Sequence, residues 1–384
     1  MKAAFTILAL SVTSLLALGL VMLYSASWMM VDRHTHSEVG ARMLQMQVVW
    51  GVLGCIACVA VASLDTEFIR KYAWVAFAAT LVLAGLVFVP HVGLQLNGAR
   101  RWIRLPGATF QPSEFVKLGL IVMLAWYGAL SQRKMDTFKR GVLVPLLIIG
   151  AALGLVFIEP DRGTTILLGG VSLTMLWIAG TRFPYLVLIV VLGAAGFACS
   201  LRHDSMRNGR LSAWLHPEAH MDGAARQAEE AKIAIGSGGL TGQGLGDGRQ
   251  KQGFVSEIHS DFIFANIGEE LGLAATLPVV AAFLLIALSG WYVALQARDQ
   301  FGCLLAVGVT SLISYQAIFN LGVVMSLLPN KGLALPFISA GGSSLLAMLI
   351  GVGLLFSVAR QATPARIAAS DIVSDDNPFA AKAA

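Results

Sequence analysis

Charge is what this sequence has least of. Only 13% of its residues are Asp, Glu, Lys or Arg, about half of the roughly 25% that a water-soluble domain carries, and a soluble fold is thereby excluded. Cysteine is scarce too. Cys55, Cys58, Cys199 and Cys303 all fall in or beside apolar segments, which argues against a disulfide framework. The Cys55-x-x-Cys58 pair lacks the further ligands that zinc takes, so it reads as packing. His216 and His220 have the i, i+4 spacing of a metal pair, but no third ligand is fixed near them in sequence, and no protein metal site is expected. Repeats of about 20 to 50 residues are absent, as is any basic stripe with interleaved aromatics, so neither a solenoid nor nucleic-acid binding is indicated.

Apolar residues fill the chain instead: 57% of 384 residues are hydrophobic and the mean hydropathy is +0.74. Apolar runs cover roughly residues 4–24, 46–63, 72–90, 115–130, 142–158, 163–180, 183–200, 262–295, 301–328 and 333–359. Each approaches or exceeds the roughly 17 to 25 residues with which a helix crosses about 30 Å of hydrocarbon. Every peptide group there must be paired within the protein, and the runs are too long for barrel strands. The fold class is therefore all-α: a polytopic integral membrane protein with about ten transmembrane helices. The first run is too long for the apolar core of a signal peptide and reads as a retained helix.

Lys and Arg are more numerous on the inner segments when both termini are placed in the cytoplasm. On that topology residues 1–360 form the transmembrane domain, 201–261 one large extracytoplasmic loop, and the Ala- and Asp-rich 361–384 a disordered cytoplasmic tail. Arg101, Lys117 and Lys331 fall outside against the bias, which calls for an anionic ligand at the outer face. Within the loop, Gly236 to Gly253 carries eight glycines together with Arg249 and Lys251. Such a run suits either backbone amides approaching a phosphate or a flexible tether.

Five stretches then follow in order: Asn97-Gly-Ala-Arg-Arg-Trp-Ile103; Gln111-Pro-Ser-Glu-Phe-Val-Lys117; Glu159-Pro-Asp-Arg-Gly-Thr164; the glycine-rich run continuing to Ser260-Asp-Phe-Ile-Phe-Ala265 and Gly268-Glu-Glu-Leu-Gly272; and Leu328-Pro-Asn-Lys-Gly332 with Leu335-Pro-Phe-Ile-Ser-Ala-Gly-Gly-Ser-Ser344. In these the chain resembles the SEDS family of bacterial peptidoglycan glycosyltransferases, its FtsW-like division branch more than its RodA-like elongation branch. It departs from the family pattern at Arg162, where a neutral residue is usual, and at Ala340, where Tyr is common.

The resemblance implies a polymerase that transfers a growing glycan from undecaprenyl diphosphate to the sugar 4-hydroxyl of lipid II, with inversion, in the bacterial inner membrane at the division septum. It also implies a class B penicillin-binding protein as transpeptidase partner, and other division proteins. Such a reaction needs one carboxylate as general base and several cations for the leaving diphosphate. Asp261 matches the base; as a residue type before an apolar helix it equally suits an N-cap. Arg101, Arg249, Lys251 and Lys331 are candidates for the diphosphate, with head-group anchoring as their alternative. Glu257 is a candidate for orienting the acceptor. Glu114 and Lys117, three apart on one helix face, read as a clamp beside the substrate or as direct contacts. Glu269 and Glu270 read as interfacial or packing residues, and Asp161 and Arg162 as a local pair. No cofactor is assigned, and a Mg²⁺ or Mn²⁺ ion held by the diphosphate would leave little trace in sequence. A lipid II flippase and a membrane scaffold are the other readings; clustering of Asp261, Arg249, Lys251 and Lys331 toward the outer face favours the enzyme.

Overall fold

The computed structural model describes residues 1–27, 39–96, 99–105, 108–201, 214, 224–249, 259–330 and 332–362. Helices α1 (Lys2–Ser27) and α2 (Val39–Ser63) are followed by short α3 (Thr66–Lys71) and by α4 (Ala73–Gly85). A three-stranded antiparallel sheet comes next, with β1 (Gly93–Leu96), β2 (Ala99–Leu105) and β3 (Ala108–Phe110) in that spatial order. Then come α5 (Ser113–Ser131), α6 (Val144–Ile158), α7 (Arg162–Ile178) and α8 (Phe183–Leu201). The chain continues through α9 (Ala224–Gly238), α10 (Ile263–Leu271), α11 (Leu273–Leu295), α12 (Gln300–Val324) and α13 (Gly342–Gln361).

Seven of these helices are long and apolar enough to cross a membrane, and shorter apolar helices at Ala73–Phe88, Arg162–Ile178 and Phe183–Phe197 occupy the remaining three of the ten apolar runs. The helical, polytopic expectation therefore holds, with seven crossings supported by length. Three local features depart from it. The sheet occupies the short polar link after α4. The run 262–295 is two helices, broken at Gly272, whose φ of +65° is open to glycine and costly for other residues. Residues 332–341 are not helical: Pro336 has no N–H to give, and α13 starts only at Gly342.

The interior is built on α5, α12 and α13, which are mostly buried, with α12 packed against α5, α7, α11 and α13. Outer helices turn large apolar side chains such as Val59, Val82, Leu147 and Leu288 outward. That distribution suits a hydrocarbon surround, where no hydrophobic drive separates inside from outside and small residues let helices approach. The most extensive contact joins α2 to α13. Gly353 makes it possible: a β-carbon there would lie 2.6 Å from the Cys58 carbonyl oxygen and 3.1 Å from its Cα. Cys58 is buried in this seam and Cys55 is exposed beside it.

On the loop side, α9 lies against α10 and the end of α12. Asn330 Nδ2 donates to Gln227 Oε1 at 3.2 Å, Ser326 Oγ to the Ala228 carbonyl at 3.4 Å, and Trp214 Nε1 to the Ser326 carbonyl at 3.0 Å. The described part of the expected large loop is thus docked on the bundle.

Gly353→Ala is expected to lower thermal stability in detergent, because the backbone it meets cannot swing aside; overpacking of this kind costs about 1–3 kcal/mol. Gly154→Ala, on α6 with nothing within 4 Å of the added carbon, is expected to be neutral or stabilising by helix propensity. Equal melting shifts for the two variants would contradict this account of the α2–α13 seam.

Candidate active site

Residues 259–262 form the turn that leads into α10. Phe262 occupies the N-cap and helical geometry begins at Ile263, so Asp261 stands one position outside the cap, and the N-cap side chain makes no capping bond. Asp261 is half-buried. Its carboxylate faces Gly332, where a β-carbon would come within 2.8 Å of Oδ2. Any side chain at 332 would crowd this carboxylate.

Gly332 begins the unwound segment 332–341, which returns through the interior, and side chains satisfy its backbone. Asn320 Nδ2 donates to the carbonyls of Asp261 and Leu333, each at 2.8 Å. Gln316 Nε2 donates to the Ala334 carbonyl at 2.9 Å. Ser339 Oγ donates to the Ser260 carbonyl at 2.6 Å and accepts from Leu335 N–H at 2.8 Å, while Ala340 N–H donates to the His259 carbonyl at 3.0 Å. Gln47 closes the far end, donating to the Ser339 carbonyl and accepting from Gly341 N–H, both at 3.1 Å. The turn carrying Asp261 is therefore sewn to 332–341 through named partners.

Glu114 and Lys117 open α5 and pair at 2.7 Å, with side chains 8% and 1% exposed. Lys117 Nζ also donates to Gln316 Oε1 at 3.1 Å. Gln316 and Asn320 are one turn apart on α12 and share a face. A continuous polar path thus runs from Glu114 through Lys117 and Gln316 to segment 332–341, and through Asn320 to Asp261. The pair is thereby joined to the backbone of segment 332–341. Gln47, Gln316 and Asn320 were not among the expected site residues, although their signal was present: isolated amide side chains inside otherwise apolar runs.

Arg101 sits on β2, and its Nε and Nη2 donate to the carbonyls of Glu159 at 3.0 Å and Pro160 at 2.5 Å. At least these donors hold the turn between α6 and α7 rather than an outside ligand. Asp161 caps α7, accepting from Thr164 N–H at 3.1 Å and from its hydroxyl at 3.0 Å. The expected Asp161–Arg162 pair gives way to this cap, and the Arg162 guanidinium lies over the Phe157 ring at 4.0 Å. Glu159 follows the last residue of α6 and is fully buried. Burial first, and then the neighbouring Asp161 carboxylate, push its pKa up to about 8, against the Ser113 hydroxyl and Arg101, which lower it.

Arg249 is exposed, and its backbone N–H donates to Glu269 Oε1 at 2.8 Å. In the described part of the glycine-rich run, the amides of Gln243, Gly244, Gly246 and Arg249 are directed at Glu269 and Glu270. Lys251, Glu257 and Lys331, like His216, His220 and the segment 363–384, lie outside the described residues. Among the described residues no group of three or more His, Cys, Asp or Glu side chains is arranged to hold a metal ion.

Comparison with known proteins bears on this site. The profile of the FTSW_RODA_SPOVE family, described as cell cycle protein, matches residues 5–364. A probable peptidoglycan glycosyltransferase FtsW of Geobacter metallireducens is 40% identical over 352 residues, covering 92% of this chain and 93% of its own. Stage V sporulation protein E of Bacillus subtilis is 35% identical over 346 residues, covering 90% and 94%. Among solved structures, a chain from a peptidoglycan synthase complex that coordinates polymerisation and crosslinking superposes with a TM-score of 0.75 at 27% identity, over 93% of this chain and 97% of that one. The rod shape determining protein RodA of Thermus thermophilus gives a TM-score of 0.66 at the same identity and coverage.

Glu159 generates a prediction about pH. Its carboxyl titrates near 4.5 when unfolded and near 8 when folded, so between those values the folded protein holds a proton that the unfolded chain has lost. Stability therefore falls as pH rises through that window, and the loss is complete above the folded pKa. Glu159→Gln, which keeps the neutral shape at any pH, is expected to flatten this slope and to melt higher than the parent at about pH 9. Parallel pH–melting curves for the two proteins would refute the assignment.

Proposed function

The chain belongs to the FtsW/RodA/SpoVE family of cell cycle proteins, a multi-pass membrane peptidoglycan glycosyltransferase that polymerises lipid II, and we propose that Asp261 is its general base. In this scheme the Asp261 carboxylate takes the proton from the 4-hydroxyl of the acceptor sugar as that oxygen attacks the anomeric carbon of the donor. The bond to the diphosphate breaks on the opposite face, so configuration inverts. The diphosphate leaves as an anion without needing a proton, and Arg249, Lys251 and Lys331 meet its charge. A Mg²⁺ or Mn²⁺ ion enters with the diphosphate as part of the substrate.

The observation that carries this reading is the position of Asp261 beside Gly332, outside the cap of α10 and tied by its backbone to Asn320. A carboxylate spent on capping sits at the N-cap position; this one stands one residue before it, with Gly332 beside its Oδ2. The Glu114–Lys117 pair acts at one remove, holding segment 332–341 through Gln316. The similarity to a chain from a synthase complex supports a transpeptidase partner of the class B penicillin-binding type. The FtsW names of the similar chains support a place at the division septum.

Polymerisation of labelled lipid II by the purified protein, alone and with that partner, tests the reading. Asn and Asp serve comparably as helix caps, but Asn takes no proton. Asp261→Asn is therefore expected to lower polymerisation by about 10²-fold to 10⁴-fold, the range for loss of a general base, with melting behaviour near that of the parent. Near-parental polymerisation by a folded Asn variant would remove Asp261 from the mechanism. The orientation that gives Asp261 access to the outer face places both termini in the cytoplasm. A membrane-impermeant thiol reagent added to intact cells should then label a cysteine at Ser212 and spare one at Ser374, and labelling at Ser374 would overturn the topology.

A further inference from the structure

The break between α10 and α11 leaves backbone groups that helices cannot satisfy, and the glycine-rich run answers them one by one. Gln243 and Gly244 donate their N–H groups to the carbonyls of Glu269 and Glu270, both at 3.0 Å. The carbonyls of Gly239 and Leu240 accept from Leu273 and Ala274 N–H at the start of α11, again at 3.0 Å. Unpaired C=O groups at one helix end and N–H groups at the next are thereby filled by a single strand of loop.

The two acid side chains demand more. Glu269 and Glu270 are 1% and 0% exposed and sit in the last turn of α10, where the helix dipole opposes negative charge. Donors offset that cost. Glu269 Oε1 accepts from Arg249 N–H at 2.8 Å, and Glu270 Oε2 accepts from Gly246 N–H at 3.1 Å. Ser25 Oγ, at the end of α1, donates to the Glu270 carboxylate from 2.6 and 2.8 Å. Adjacent helical residues point about 100° apart, so one acid takes the distal part of the loop while its neighbour takes the middle and α1.

The glycines permit the approach. Gly242, Gly244 and Gly246 have φ of +81°, +115° and +90°, and a β-carbon at Gly248 would lie 3.0 Å from Glu270 Oε1 and 3.1 Å from Glu269 Oε2.

We propose that Glu269 and Glu270 are positioning residues for the transferase reaction, a carboxylate latch that fixes the glycine-rich loop and so places Arg249 for a diphosphate-bearing lipid substrate. The proposal rests on the reading of Arg249 as a substrate contact. It adds that this cation's place is set by a buried acid pair. The acids act through the loop backbone.

Two measurements on the full-length protein in detergent test it. In hydrogen–deuterium exchange, peptides spanning 240–249 should exchange at least about tenfold faster in Glu269→Ala/Glu270→Ala than in the parent, with α12 unchanged. In lipid II titrations Glu270→Ala should raise KM by about tenfold with kcat changed less than about threefold. Glu270→Gln, whose carbonyl still accepts from Ser25 or Gly246, should return most of the loss. Gly248→Ala covers the case in which the acid-to-alanine variants fail to fold: it leaves both carboxylates in place, pushes the loop off them, and should raise KM in the same way. Parental exchange in the double variant, or a loosened loop with an unchanged KM, would overturn the latch. Exchange is read without turnover, so it stands even if Asp261→Asn polymerises normally. An inactive Asp261→Asn alongside latch variants of parental exchange would sink the latch alone.

Discussion

A peptide N–H or C=O shut inside an apolar bundle costs several kcal/mol when it has no partner, and this protein places unwound backbone in its interior and at a helix break. Segment 332–341 is held by the amides of Gln47, Gln316 and Asn320 and the hydroxyl of Ser339. The break at Gly272 is held by the glycine-rich loop. Asp261 precedes both features in the chain, at the head of α10, and its turn is tied to 332–341 through Asn320 and Ser339.

The charges obey the same rule. Lys117, fully buried, is paired with Glu114 and bonded to Gln316, because an isolated ammonium in that setting would lose its proton or pull in water. Arg101 gives its donors to a carbonyl-rich turn, and Arg162 rests on an aromatic face. Among the described residues, Lys117, Arg101 and Arg162 are thus engaged with groups of the protein itself. The polar network enters from α5, passes through α12 and ends at the backbone of Asp261 and of segment 332–341.

The phosphate reading of the glycine-rich run takes its amides to be available for a ligand. The structure departs from that premise for a physical reason. Two buried carboxylates at the negative end of a helix need donors, and a run that tolerates positive φ can bring its N–H groups to them. The same residue type that suits a phosphate nest suits an internal anion, and composition does not distinguish the two. Glu269 and Glu270 could be read as packing residues only while their partners, far apart in sequence, were unknown.

The sequence by itself determined the solvent, the helical class, the approximate positions of the apolar spans and the motifs that carry family membership. Those properties are local: hydropathy and helix length are summed along neighbouring residues, and motifs are read in register. It also pointed to Glu114–Lys117 as a pair, since their spacing puts them on one helix face. Only the tertiary structure decided that Asp261 stands outside the cap of α10, that Arg101 holds the α6–α7 turn, that the run from 262 to 295 breaks at Gly272, and that Gln47, Gln316 and Asn320 hold the irregular backbone. The holding contacts among these pair residues distant in sequence, such as Gln47 with Ser339 or Arg101 with Glu159. A hydrogen bond has no signature in either partner alone; it exists only once the bundle has brought a donor within about 3 Å of its acceptor.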